Sequence, residues 1–540
     1  MSSVQTSSSH DPELELIGSG LKKRTELALG DEFLRKAVAF TTDKLKNGRL
    51  NAMADIGNWE LWRDRASNIR THTICHLDYY LTQFSDNVVN SGGHVYFCKT
   101  ADDAVKQFIE IAEMKKARLV AKGKSMVSEE IHLNHHLEEI GIEAIETDLG
   151  EYILQLAKET PSHLIIPAIH KNKQQIADLF TEASGKELMP ETKVLADYAK
   201  QKLRNYFLEA DIGLTGCNFG VAESGSITLV SNEGNGRMVS TLPKTHVVVM
   251  GMERLIPTFE DLEVMLNMLA RSATGQKLTT YTSLITGPRR PEDLDGPEEL
   301  HVIILDNGRS SQLGDPVFQE VLNCIRCAAC LNVCPVYRHI GGHAYGSVYS
   351  GPIGAVLTPL IQQDMKEAGQ LSYASSLCGA CYEACPVKIP LHDMLVQLRH
   401  RKVKMKLTPM AERIAFRTFQ TAFGHVTLYK MAIKSAYYMQ KPLLQEGKIK
   451  KGFGPLAGWT QSRFLPMKPK QSFRDKWEAL QLEMKQKAKI DVGQTIKQDN
   501  KMETNANSHP ARSSAVSGEE LSAERSAYKK AAEERGGADE

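Results

Sequence analysis

Seven of the ten cysteines in this 540-residue chain fall between Cys324 and Cys385. They form two runs. The first, Cys324–Ile325–Arg326–Cys327–Ala328–Ala329–Cys330–Leu331–Asn332–Val333–Cys334–Pro335, has the spacing C-x-x-C-x-x-C-x-x-x-C-P. The second, Cys378–Gly379–Ala380–Cys381–Tyr382–Glu383–Ala384–Cys385–Pro386, repeats it without the first cysteine. Counted back from the proline, Ser375 stands in the missing place. The N-terminus, MSSVQTSSSHDPELEL, has no basic-then-apolar leader, so a cytoplasmic location is expected. In a reducing compartment, clustered thiols serve metal or redox chemistry rather than disulfides.

The first run has the bacterial ferredoxin spacing, in which three thiolates wrap one iron–sulfur cluster and the fourth, redirected by proline, reaches another. That logic crosses the two runs. Cys324, Cys327, Cys330 and Cys385 are expected to hold one [4Fe–4S] cluster, and Cys334, Cys378 and Cys381 the second. Two clusters, both [4Fe–4S], are expected, although the second has only three thiolates. Its remaining iron is left to Ser375, another side chain or water, or the cluster is [3Fe–4S]. Structural zinc fits less well, because it takes four ligands, usually as two C-x-x-C pairs, and does not require Cys-Pro. The spacing of 44 positions from Cys334 to Cys378 exceeds the link of a compact ferredoxin and suggests an α-helical ferredoxin type.

Between about 94 and 305 short apolar runs alternate with amphipathic stretches. His94–Phe97, Leu119–Ala121, Leu164–Pro167, Ile227–Val230, Val247–Met250 and Val302–Leu305 read as strands. Ala101–Lys115, Lys173–Ala183 and Phe259–Ala270 read as helices. The alternation predicts an α/β domain with a largely parallel sheet covered on both faces. The expected divisions are a polar N-terminus (1–20), an N-terminal helical region (21–90), an α/β domain (91–306), a dicluster ferredoxin-type domain (307–400), a C-terminal helical region (401–490) and a tail (491–540). Asn58 is a candidate cap for a helix running without Pro or Gly to Phe84. The tail contains only Val492, Ile496, Val516 and Leu521 among Ile, Leu, Val and Phe, too few to offset its ordering entropy, so disorder is expected. Lys plus Arg (66) balances Asp plus Glu (65), which argues against general nucleic-acid binding. No apolar stretch is long enough for a transmembrane helix.

On the four-plus-three cysteine set, the linker Tyr337–Arg338–His339–Ile340–Gly341–Gly342–His343–Ala344–Tyr345–Gly346, and the stretches Leu214–Gly220 and Asn232–Arg237, the chain resembles the lactate utilization protein B (LutB) family over about residues 20–480. The resemblance implies a LUD domain of the sugar-phosphate isomerase and CoA-transferase-like α/β group. It also implies electron transfer during oxidation of L-lactate to pyruvate, alongside a LutA-like cysteine-rich subunit and a LutC-like LUD protein. Cys217 stands where the family pattern has a small alanine.

Several other residues admit a functional reading beside a structural one. No G-x-G-x-x-G follows a strand, so a dinucleotide bound in the Rossmann manner is not expected. Gly341–Gly346 lacks the lysine of a phosphate loop and reads as a tight turn. His339 and His343 are weighed as proton carriers or a missing cluster ligand, but more simply hydrogen-bond. Glu233–Arg237 follows a strand and offers amides and Arg237 to an anion. Cys217 reads as a buried small hydrophobe. Trp59, Trp62, Tyr79 and Tyr80 are expected to pack the N-terminal helices. The basic run Arg399–Lys406 is either a solvated helix face or a dock for an acidic partner or an anionic membrane surface. No catalytic residue is assigned. The leading expectation is an electron-transfer subunit. The alternatives are a LUD-domain enzyme on a phosphorylated or CoA-linked substrate, with structural or redox-sensing clusters, and a zinc-stapled scaffold.

Overall fold

The computed structural model describes residues 20–474, 476–477 and 479–487. The polar N-terminus before residue 20 and the tail expected to be disordered lie outside the described residues. The chain divides into two compact units, one through Thr408 and one from Pro409.

Ten strands build two sheets in the first unit: β1 (His94–Cys98), β2 (Leu119–Lys122), β3 (Glu143–Glu146), β4 (Ile212–Thr215), β5 (Phe219–Val221), β6 (Ser226–Ser231), β7 (Thr245–Gly251), β8 (Leu255–Ile256), β9 (Tyr281–Ile285) and β10 (Glu299–Leu305). Six form a wholly parallel sheet in the order β1-β10-β7-β4-β2-β3. Along β7 and β10 successive side chains enter opposite cores: Val247, Val249, Ile303 and Leu305 on one face, Val248, Met250, Val302 and Ile304 on the other. This two-residue period, apolar at both phases, is what a sheet buried on both faces requires. The smaller sheet, β8-β5-β6-β9, is mixed.

Among the described residues, four helices precede the sheet: α1 (Leu21–Gly30), α2 (Glu32–Asp55), α3 (Trp59–Cys75) and α4 (Leu77–Asn90). Leu77, Phe84 and Val88 of α4 cover one sheet face, and Ala104, Phe108 and Ile111 of α5 (Ala101–Met114) the other. Asn58 does cap α3, accepting the Leu61 N–H at 3.2 Å. The helix nevertheless breaks at His76, which is neither Pro nor Gly. Its ring Nδ1 lies 2.9 Å from the His72 carbonyl, while His72 Nε2 lies 3.0 Å from the Tyr80 hydroxyl. Trp59 is buried and Trp62 packs against the core, but Tyr79 is exposed, contrary to the expectation that all four aromatics pack inward. Two further helices complete the site: α6 (Asn235–Thr241) and α7 (Phe259–Ala273). Gly213 on β4 lets α6 lie close, since a Cβ there would meet the Val239 carbonyl oxygen at 1.9 Å.

Leu164–Pro167 is not a strand. His163 Nδ1 accepts the N–H groups of Ile165 and Ile166 at 3.1 Å each, satisfying locally the donors a ladder would need. Pro161 and Pro167 flank the segment. One large core runs through α2, α3, α7 and both cysteine segments.

In the second unit the helices Met410–Gly424 and Val426–Met439 bury no residue, and Ile414, Phe416, Phe419 and Phe423 are exposed. A short antiparallel pair, β11 (Lys448–Ile449) with β12 (Leu465–Pro466), follows. No helix among the described residues is long and apolar enough to cross a membrane.

Candidate metal centre and the cavity beside it

The two cysteine runs fold alike and meet. Each ends in one short helix, Ala329–Val333 and Ala380–Ala384. Cys324, Cys327, Cys330 and Cys385 line one small cavity walled by Leu164, Ile353 and other apolar groups. None of the cysteines is disulfide-bonded. Burial and the neighbouring Cys385 and Cys324 push the Cys327 thiol upward. Cys385 is pushed up to about 11, chiefly by burial, with Cys324 adding to it. The other three thiols form a second group. Cys334 is raised by burial and by Cys378, and Cys381 is pushed up to about 12 by burial and then by Cys334. Cys378, at the surface, is instead lowered, first by the Ala380 backbone N–H.

Thiols packed this closely are poor company as anions unless cations sit among them. Iron would supply such cations and would keep coordinating thiols deprotonated. The sulfur atoms also receive backbone donors: Arg326 N–H to Cys324 (3.4 Å), Tyr337 N–H to Cys334 (3.5 Å) and Ile389 N–H to Cys385 (3.4 Å). Such bonds tune iron–sulfur centres. The donor set therefore fits the group the spacing called for.

Distant arginines hold the runs in place. Arg63 donates to the carbonyls of Cys385 and Tyr382, both at 2.9 Å. The fully buried Arg70 donates to those of Asn323 (3.2 Å) and Leu322 (2.9 Å), and also to Leu255 and Glu253. Beneath them lies a buried ionic network. Arg309 pairs with Glu130 and Glu253, each at 2.7 Å, Arg326 reaches Glu253 at 3.1 Å, and the Tyr349 hydroxyl donates to Glu130 at 2.6 Å. Burial works to raise the Glu253 carboxyl, but Arg309, Arg326 and Arg254 outweigh it and hold it at about 2.

At the carboxyl ends of β2, β4 and β6 opens a second cavity of about 240 Å³. Lys124, Thr215, Asn218, Glu233, Arg254 and Arg326 contribute to its wall. Arg326 lines both cavities, and its Nη1 is buried without a hydrogen-bond partner. Arg254 reaches the Cys324 carbonyl at 3.4 Å. The carboxyl ends of these strands, where α/β sheets tend to bind ligands, thus lie directly beside the first thiol group.

The other candidates distribute as follows. Glu233, Asn235 and Gly236 line the cavity, but Arg237 does not. It lies on an outer groove with Thr241, Arg289 and Arg290, because α6 starts at Asn235 and turns Arg237 outward. Cys217 is a buried wall residue of the cavity, its thiol pushed up to about 12 by burial. His339 Nδ1 lies 2.7 Å from the Pro335 carbonyl, and His343 Nε2 2.7 Å from that of Thr160. His343 stacks edge-on to His170, which pairs with Glu159 at 2.6 Å. The Gly341–Gly342 turn is a close backbone approach, since a Cβ on Gly342 would meet the Ser162 oxygen at 1.8 Å. Much of the basic run is spent internally. Arg399 donates to the Ser372 and Ser375 carbonyls, Arg401 pairs with Asp315 at 2.9 Å, and Lys402 donates to the Lys366 carbonyl. Sequence reasoning missed Arg63, Arg70, Arg254 and Glu253. Only Glu253 and Arg254, charges set between Met252 and Leu255–Ile256, carried a local signal; Arg63 and Arg70 lie among polar neighbours and carried none.

Three family models match the chain: a LUD domain over residues 81–305, a 4Fe-4S dicluster domain over 320–389, and the C-terminal domain of lactate utilisation protein B over 398–481. Lactate utilization protein B from Shouchella clausii is 52% identical over 473 residues, covering 87% of this chain and 99% of the relative. The protein of that name from Macrococcus caseolyticus is 54% identical, covering 84% and 96%. A solved DUF162 family protein from Deinococcus radiodurans, at 16% identity and a TM-score of 0.25, covers 42% of this chain and 98% of its own, too distant to bear on the fold. With more than half of the aligned residues identical across nearly the full length of such relatives, the chain belongs to the lactate utilization protein B family.

Proposed function

We propose that the chain is the iron–sulfur electron-transfer component of a multi-component system that oxidises L-lactate to pyruvate. Cys324, Cys327, Cys330 and Cys385 hold one [4Fe–4S] cluster, and Cys334, Cys378 and Cys381 hold the other. The observation that carries this reading is the exchange of thiols between runs: Cys385 faces the cavity of the first run, while Cys334 neighbours Cys378 and Cys381. Oxidising a 2-hydroxy acid to a 2-keto acid releases two electrons and two protons, and the bound clusters supply two one-electron stores. The chain's own residues do the rest. Arg63, Arg70 and Arg254 fix the peptides that carry the thiols. Apolar walls exclude water from the first group. Arg254, Arg326 and Lys124 give the adjoining cavity cationic groups suited to a small carboxylate such as lactate or pyruvate.

Its partners are a LutA-like cysteine-rich subunit and a LutC-like LUD protein, in the cytoplasm. Peripheral membrane contact is open to Lys404 and Lys406 of the basic run.

Anaerobic purification with iron and sulfide analysis and EPR tests the reading. Two cluster signals, bleached by lactate only when partner subunits are present, are expected. A folded preparation without iron ends it. Turnover of a phosphorylated or CoA-linked substrate by this chain alone would favour the LUD-enzyme alternative. Titrating pyruvate should alter the EPR line shape of one cluster, and Lys124→Ala should weaken that response.

A further inference from the structure

The second run follows the first at a constant offset of 51 positions, pairing Cys327 with Cys378, Cys330 with Cys381 and Cys334 with Cys385. The backbone keeps the same offset. Arg326 and Leu377 are both left-handed (φ 60° and 55°), as are Ala328 and Gly379 (φ 61° and 80°). The left-handed region is disfavoured for residues other than glycine, so Arg326, Ala328 and Leu377 are held there by what surrounds them. The helices Ala329–Val333 and Ala380–Ala384 coincide residue for residue under this shift.

The correspondence extends to the position where chemistry differs. Cys324 Sγ accepts the N–H of Arg326, two residues on, at 3.4 Å. Ser375 Oγ accepts the N–H of Leu377, also two residues on, at 3.1 Å. The Cys324 carbonyl is held by a guanidinium, that of Arg254, and the Ser375 carbonyl by that of Arg399 at 3.3 Å. Ser375 therefore repeats two features of Cys324, the hydrogen bond from the N–H two residues on and the guanidinium on its carbonyl, with oxygen in place of sulfur.

We propose that Ser375 Oγ is the fourth protein ligand of the second cluster, which is then a [4Fe–4S] centre with three thiolates and one alkoxide. This rests on the electron-transfer reading above and says which atom completes its second site. On binding, the Ser375 hydroxyl gives its proton to water, which the half-exposed position admits, and forms one Fe–O bond with no change of oxidation state. Oxygen is the harder donor and suits the softer iron–sulfur core less well than thiolate. The iron at this corner is therefore the one most readily lost. Ser376 is a different case, since its hydroxyl hydrogen-bonds Cys378 and so acts through a ligand.

The test uses the full chain, purified anaerobically, as wild type, Ser375→Ala, Ser375→Cys and Ser376→Ala. Each is exposed to an iron chelator with stoichiometric oxidant and followed by iron content and EPR. Ser375→Ala should release one iron per chain at least about tenfold faster than wild type, with growth of a three-iron signal. Ser375→Cys should release it more slowly than wild type, and Ser376→Ala should keep its iron. Wild-type behaviour in both Ser375 variants, or a three-iron second centre in freshly isolated wild type, overturns the proposal while leaving the electron-transfer reading intact. Absence of both clusters overturns that reading instead. If Ser375→Ala fails to fold, the near-isosteric Ser375→Cys decides alone.

Discussion

The two cysteine runs share a spacing and a backbone but not an environment. Cys327, Cys330 and Cys385 are buried, enclosed by Leu164 and Ile353 and flanked by Arg49, Arg63, Arg70, Arg254 and Arg326. Across the repeat, Cys378, Ser376 and Leu377 are exposed and Ser375 is half-exposed. The same motif thus stands once buried beside the cavity and once exposed. The difference gives the molecule two unlike settings for one motif, one enclosed and one open to solvent.

The largest effect expected from breaking this contrast comes from the inner site. Cys385→Ala should remove the inner cluster, leave the outer one visible by EPR, and lower iron content by about half, because metal binding and folding are coupled in such sites. Glu253→Ala strands Arg309 and Arg326 without their shared carboxylate. It should cost about 3–5 kcal/mol in denaturant unfolding, with cluster bleaching following the same curve. Arg399→Ala, by contrast, should loosen only the outer site, at roughly 1.5–3 kcal/mol or less given its partial exposure, and hasten iron loss there while the inner signal is unchanged.

Acid should separate the regions further. Burial pushes His246 down to about 3 and His163 down to about 4. Unfolded histidine titrates near about 6.5, so the unfolded chain binds more protons below that pH. This contribution to stability is complete above about 6.5 and declines as pH falls toward 4. Urea midpoints measured across that range should show the decline, and the slope should shrink in His246→Gln. The smallest effect is expected from Lys388→Ala, whose ion pairs with Asp64 and Glu60 are at the surface, and it should change stability by less than about 1 kcal/mol.

The parts legible in the sequence are those where a local pattern carries its own physics. Val247–Met250 and Val302–Leu305 are apolar at every position, and they became the central strands. The cysteine spacing announced the chemistry, and the proline count pointed to Ser375. The break at His76 and the irregular Leu164–Pro167 were not legible, because side chains acting on nearby backbone groups decide them. Long-range charge was hidden altogether. Nothing near Arg63 in the sequence shows that it will hold the carbonyl of Cys385, 322 residues away. The run Arg399–Lys406 shows the reverse error, since residues that look free in a string are partly absorbed by Ser372, Asp315 and Lys366.

The placing of Cys385 against Cys324, Cys327 and Cys330 has a consequence for biosynthesis. The inner cavity lacks one wall until a peptide 55 positions beyond Cys330 has left the ribosome and folded back. Iron delivered earlier would meet an unfinished socket, so loading has to await synthesis past Cys385.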